Sequence, residues 1–124
     1  MRFRMDFRTR EKRPAWNPRV AEEVRLPTWT FEAAQQGSLV FVRSAEHVTG
    51  GDATARLFLT PASMEHPAAA QLDVAVHGRW SDEDEAHPPI GSVQDLVDEA
   101  EALLVLLGCV RPRARFEGAE RTRT

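Results

Sequence analysis

Four histidines, His47, His66, His77 and His87, and one cysteine, Cys109, are the residues of this 124-residue chain whose types suit proton transfer, metal ligation or nucleophilic attack. A histidine beside a carboxylate can act as a general acid or base near neutral pH. A period-two reading puts His47 and His77 on one predicted sheet face with Asp73, Arg43, Arg56 and Arg79. The spacing supports little more. No histidine pair has H-x-x-x-H spacing, and a single cysteine excludes a C-x-x-C metal site. SDEDEAH lacks the alternating ligands and glycine of a calcium loop, and TGGD lacks the lysine and length of a phosphate loop. Cys109 has no base near it in sequence. Histidines on an open sheet face are ordinary surface residues, so the expectation is no catalytic residue, no metal and no cofactor. A small acid–base enzyme using His77 or His47 stands as an alternative.

The arginines are more patterned. MRFRMDFR opens the chain and RPRARFEG lies near its other end, and in both arginine alternates with apolar residues. Residues 1–13 hold six Lys/Arg against two acids, and residues 108–124 hold five Arg against two acids. With a net charge of −3 overall, the intervening chain therefore carries −10. An acidic body with two basic segments invites contact between those segments and something negative. The candidates are Arg2, Arg4, Arg8, Arg111, Arg113 and Arg115, and the complementary acids are Asp82, Glu83, Asp84 and Glu85. If the terminal strands are adjacent, the six arginines crowd together unless anions sit among them, because like charges across a ladder repel. Three readings follow: charged protection of a sheet edge, carboxylate pairing between protein subunits, and phosphate binding. Against the last, the protein is acidic overall, lysine occurs once, and no RNP, zinc-finger or helix-turn-helix pattern is present. Phe41 and Phe58, placed on the polar sheet face, would be its stacking residues.

The elements that must hold these residues follow from periodicity. Phe3, Met5 and Phe7 alternate with Arg2, Arg4, Asp6 and Arg8, which predicts a half-buried strand. Asn17-Pro18 predicts the start of a short helix reaching Leu26, and TWTFEAAQQG a helical turn from a Thr30 cap to Gly37. Gly50-Gly51 between two apolar runs predicts a two-residue hairpin with Thr49 opposite Asp52. That register puts Val40, Val42, Ser44, Glu46 and Val48 on the core face with Ala53, Ala55, Leu57 and Leu59, and Phe41, Arg43, Ala45 and His47 on the other. Leu72, Val74, Val76 and Trp80 predict a further strand, followed by an acidic, proline-containing loop. Residues 92–107 predict one long amphipathic helix, with Ser92 and Asp95 as a capping box and Gly108 as the terminator. Its last turn is apolar almost all round, so it should be deeply covered by the sheet or another subunit. Val110, Ala114 and Phe116 predict a final strand, confined to an edge by Pro112. Trp16 and Trp29 either cover the core or anchor an interface.

The expected architecture is α+β: a mostly antiparallel sheet of four to five strands, one helix on its apolar face, and one or two helical turns. Residues 1–124 form a single domain, with 1–13 and 108–124 as candidate arms. The longest apolar run, Ala102 to Leu107, is too short for a membrane span, and no signal peptide is evident. The second half of the chain, with its strand, linker, amphipathic helix and arginine-rich strand, resembles small phage connector and tail-assembly subunits. The expectation is a non-enzymatic structural or assembly subunit. Its partners would be copies of itself or neighbouring proteins, in the cytoplasm or an assembled virion. The alternative from another class is a single-stranded nucleic-acid-binding module.

Overall fold

The computed structural model describes residues 1–10, 16, 19, 28–35, 38–46, 52–77 and 90–118. These form a six-stranded sheet with a long helix packed on one face, so the class is broadly α+β. The strands are β1 (Arg2–Thr9), β2 (Thr30–Gln35), β3 (Ser38–Glu46), β4 (Asp52–Thr60), β5 (Ala69–His77) and β6 (Cys109–Gly118). The helix, α1, spans Ile90–Leu106. The sheet order is β2-β3-β4-β5-β1-β6, and every neighbouring pair is antiparallel. The first and last strands are thus paired with each other, and β6 is an edge, as Pro112 requires.

β2 accounts for the sixth strand. The helical turn expected between Thr30 and Gly37 is instead a strand, with Phe31 opposite Phe41 and Thr30 opposite Val42. The Phe31 and Phe41 rings lie 5.5 Å apart, so cross-strand packing prevails over the weak helical preference of Glu32 and the two alanines. The helix expected over 17–26 lies outside the described residues, except Arg19, which is helical.

The hairpin register also differs. Glu46, not Thr49, lies opposite Asp52, and Leu39 is opposite Leu59. This slip of three residues is odd, so it exchanges the faces of β3. Leu39, Phe41 and Ala45 therefore lie on the core side with Ala53, Ala55, Leu57 and Leu59. Val40 and Val42 take the outer face, opposite Phe58 and Arg56. Both faces of β3 carry large apolar residues, so alternation alone does not choose between them.

The inner face is the core. Met5, Leu57, Leu59, Leu72 and Val74 meet the helix stripe of Val93, Leu96, Val97, Ala100, Leu103, Leu104 and Leu107. Burying each large side chain contributes about 1.5–3 kcal/mol, which makes this layer the main stabilising term. Trp16 and Trp29 both belong to the core rather than to an exposed interface. Trp16 packs against Phe7 at 5.6 Å, and its indole N–H donates to the Leu107 carbonyl at 3.2 Å. One of the helix's unpaired C-terminal carbonyls is thereby satisfied.

Helix α1 begins at Ile90, so Ser92 lies inside its first turn rather than at the cap, and the expected capping box is displaced. The C-terminus matches expectation: Gly108 adopts φ 92° and its N–H donates to Val105 O at 3.0 Å. The last turn is only half covered. Leu103, Leu104 and Leu107 are buried, whereas Val105 and Leu106 are 54% and 52% exposed.

Leu104 is fully buried, so Leu104→Asp would place a charge in an apolar layer. Loss of the cooperative thermal transition, followed by circular dichroism, is the expected result. A native-like melt would overturn the core assignment.

Candidate functional site

The pairing of β1 with β6 determines where the arginines go. Phe3, Met5 and Phe7 face the core, and Phe3 meets Phe116 with ring centroids 5.4 Å apart. Arg2, Arg4, Asp6 and Arg8 then stand on the outer face, opposite the face that packs on α1. Arg4 lies directly opposite Arg115, and Asp6 opposite Arg113. On the other flank Arg2 is opposite Asp73 of β5, which in turn faces Arg56 of β4. The chain's own acids sit among the guanidinium groups. Asp6 lies 3.4 Å from Arg4 and 3.6 Å from Arg115, and Asp73 lies 3.5 Å from Arg2. Gln71 also donates to Asp73, at 2.9 Å. These partners are roughly half exposed, so each pair contributes modestly.

The ladder is interrupted between Asp6 and Arg8. The register passes from Asp6–Arg113 to Arg8–Val110, so three residues of β6 oppose two of β1. Cys109 is buried and Ala114 half-buried, although they differ in parity, so strict alternation cannot turn both inward. The bulge re-phases the strand, and Val110 joins Arg8 on the outer face rather than grouping with Ala114 and Phe116. Arg111, within the bulge, has φ 51°, a left-handed conformation that costs a non-glycine residue about 1–2 kcal/mol. Pro112 follows it and lacks an N–H. The structure thus brings all six expected arginines onto one pair of strands. Asp82, Glu83, Asp84 and Glu85 lie outside the described residues.

The other candidates separate. His47 and His87 lie outside the described residues, as do Arg79 and Trp80. His77 is exposed at the end of β5, opposite Asp52, and exposed His66 is part of a turn whose N–H donates to Ser63 Oγ at 3.0 Å. Arg43 is on the inner face and not beside His77, because of the β3 register. Phe41 is buried while Phe58 is half-buried on the outer face, so the pair expected to stack bases is split between faces. An open groove of about 560 Å³ lies on that outer face. Arg4, Asp6, Phe58, Gln71, Pro67 and Glu117 are among its lining residues, and no described histidine is. Its two carboxylates outnumber its one guanidinium, which makes the groove itself a poor anion site. Among the described residues no three His, Cys, Asp or Glu side chains cluster as metal ligands, and no helix is long and apolar enough to cross a membrane.

A polar cluster between helix and sheet escaped the sequence reading. Glu99 accepts from Arg43 Nε at 2.8 Å, from the Trp29 indole N–H at 2.9 Å and from Thr28 Oγ1 at 3.3 Å. Arg43 is 20% and Glu99 33% exposed at the side chain. The Arg43 hydrogen bond, opposed by burial and aided by Trp29, holds the Glu99 carboxyl below its ordinary value of 4.5. The only sequence cue was an acid flanked by the apolar helix stripe. Burial pushes the Cys109 thiol up to about 12, which leaves it protonated and inert in the folded protein.

Comparison with protein families, curated proteins and solved structures finds no match to the chain.

Two measurements test these environments. Because Glu99 binds its proton less tightly folded than unfolded, its contribution is present above pH 4.5 and is lost as pH falls through the lower folded value. Glu99→Gln should cost about 1 kcal/mol at neutral pH, with the gap to wild type closing in acid. A gap that does not change with pH would contradict this account. Cys109 should resist a thiol-specific disulfide reagent at pH 8 in the native protein and react once unfolded; fast native labelling would contradict its burial.

Proposed function

We propose that the protein is a non-enzymatic structural or assembly subunit that forms a homo-oligomer or docks within a larger complex. The observation that carries this reading is the concentration of Arg2, Arg4, Arg8, Arg111, Arg113 and Arg115 on two paired strands, where Asp6 and Asp73 are close carboxylate partners among the described residues. Planar guanidinium groups suit bidentate pairing with carboxylates, and arginine is enriched at protein interfaces. Asp82, Glu83, Asp84 and Glu85 provide the complementary charge on the same chain. A phage connector or tail component is the setting implied by the resemblance of the second half of the chain. Phosphate is the weaker partner for this face, since the whole protein carries net charge −3 and Phe41 is withdrawn into the core.

Light scattering at low and high salt tests the proposal. The wild-type mass should exceed the 13.9 kDa of one chain at low salt and fall toward it as salt screens the charge pairs. A concentrated low-salt sample that remains a monomer would overturn self-assembly.

A further inference from the structure

The arginines of β1 and β6 are not equivalent. Arg4 and Arg115 share Asp6, and Arg2 pairs with Asp73. Arg8, Arg111 and Arg113 have no ion pair among the described residues, and all three are exposed. They lie together around the bulge, at the end of the sheet where Thr9 pairs with Cys109. Arg111 is held there at φ 51°, in a backbone region that side chains other than glycine rarely adopt. Bulges of this kind re-aim a side chain, and a strained non-glycine residue directs attention to what the strain achieves.

On the basis of the assembly reading above, we infer that Arg8, Arg111 and Arg113 form the docking site for the acidic run Asp82–Glu85 of a second copy of this chain. Charge complementarity is direct: three guanidinium groups with no ion pair among the described residues would meet four consecutive acids. The topology favours a contact between chains. In the sequence the acidic run lies between His77, the end of β5, and Ile90, the start of α1. Only Leu107 and Gly108 separate α1 from β6, and Glu101 of the helix reaches Ala114 of the strand, so the helix runs antiparallel to β6. His77 and Ile90 therefore both lie at the end of the sheet away from the triad. A backbone path from His77 to the level of Arg8 and back to Ile90 covers roughly 33 Å of strand and roughly 24 Å of helix length. The thirteen residue steps between those tethers span at most about 47 Å. That tether length favours a neighbour's acidic run over the chain's own as the partner of the whole triad.

A charge-swap mixture tests this. One variant carries Arg8→Glu and Arg113→Glu; Arg111 is kept because of its backbone conformation. The other carries Asp82→Lys, Glu83→Lys, Asp84→Lys and Glu85→Lys. Each alone should self-associate roughly tenfold or more weakly than wild type, and an equimolar mixture should regain association, because the reversed face then meets the reversed run. Circular dichroism checks that both fold. If the double glutamate variant does not, Arg8→Gln with Arg113→Gln should still weaken association. Wild-type mass in either variant alone, or no recovery in the mixture, overturns the assignment while leaving assembly through another face intact. A wild-type monomer would instead remove the assembly reading itself. A single-stranded oligonucleotide bound by wild type and by the lysine variant but not by the glutamate variant, with no recovery in the mixture, overturns it in favour of phosphate.

Discussion

Strand alternation couples the core to the charged face, and most of this molecule follows from that coupling. On β1 and β6, each apolar residue turned toward the helix obliges its neighbour to turn outward. Phe3, Met5, Phe7 and Ala114 pack inward, and Arg2, Arg4, Arg8, Arg113 and Arg115 are consequently presented together. The magnitudes settle which effect prevails. Burial contributes about 1.5–3 kcal/mol per large side chain. Like charges opposed across a ladder cost only a fraction of that, roughly 0.2–1 kcal/mol. The pairing of Arg4 with Arg115 is thus tolerated, and Asp6, placed between them, reduces the repulsion further.

The free edge of β6 limits how the face can be used. Pro112 has no N–H to offer, and the Ala114 N–H is taken by the Glu101 carboxylate at 3.0 Å. A neighbouring strand arriving at that edge would find two of its donors missing or occupied. Edge protection and partner binding are therefore compatible on the same strand. Blocking the backbone suppresses indiscriminate strand addition and leaves recognition to side chains, where arginine geometry and charge can select a partner.

How far the sequence was legible depends on how many features competed at each position. The β1 alternation and the α1 stripe each have one good solution, and both were readable, as was Gly108 at the helix end. β3 has two: Leu39 and Phe41 on one side and Val40 and Val42 on the other. Its face was decided by longer-range terms, including the reach of Arg43 to Glu99 across the sheet–helix interface. TFEAAQ carries little intrinsic preference, and its strand state comes from Phe31 meeting Phe41. The arginines were legible as a group because they alternate. The bulge that re-phases β6 between Val110 and Arg113 was not, because it depends on Cys109 and Ala114 both needing the core.

The helix end adds a second element to the same end of the molecule. α1 terminates where β6 begins, so Val105 and Leu106 stand near the start of β6, on the other side of the sheet from Arg8. Two half-exposed side chains offer far less than the roughly 1,200–2,000 Å² that a stable interface buries. They cannot hold a partner alone, and an arginine face in water gains little from each isolated ion pair. Together they are better matched. Charge acts at a distance and orients an approaching partner, while apolar contact is felt only after water is expelled. An association using this end would be steered by the arginines and retained by the apolar pair, with the blocked β6 edge between them preventing strand addition from replacing that arrangement.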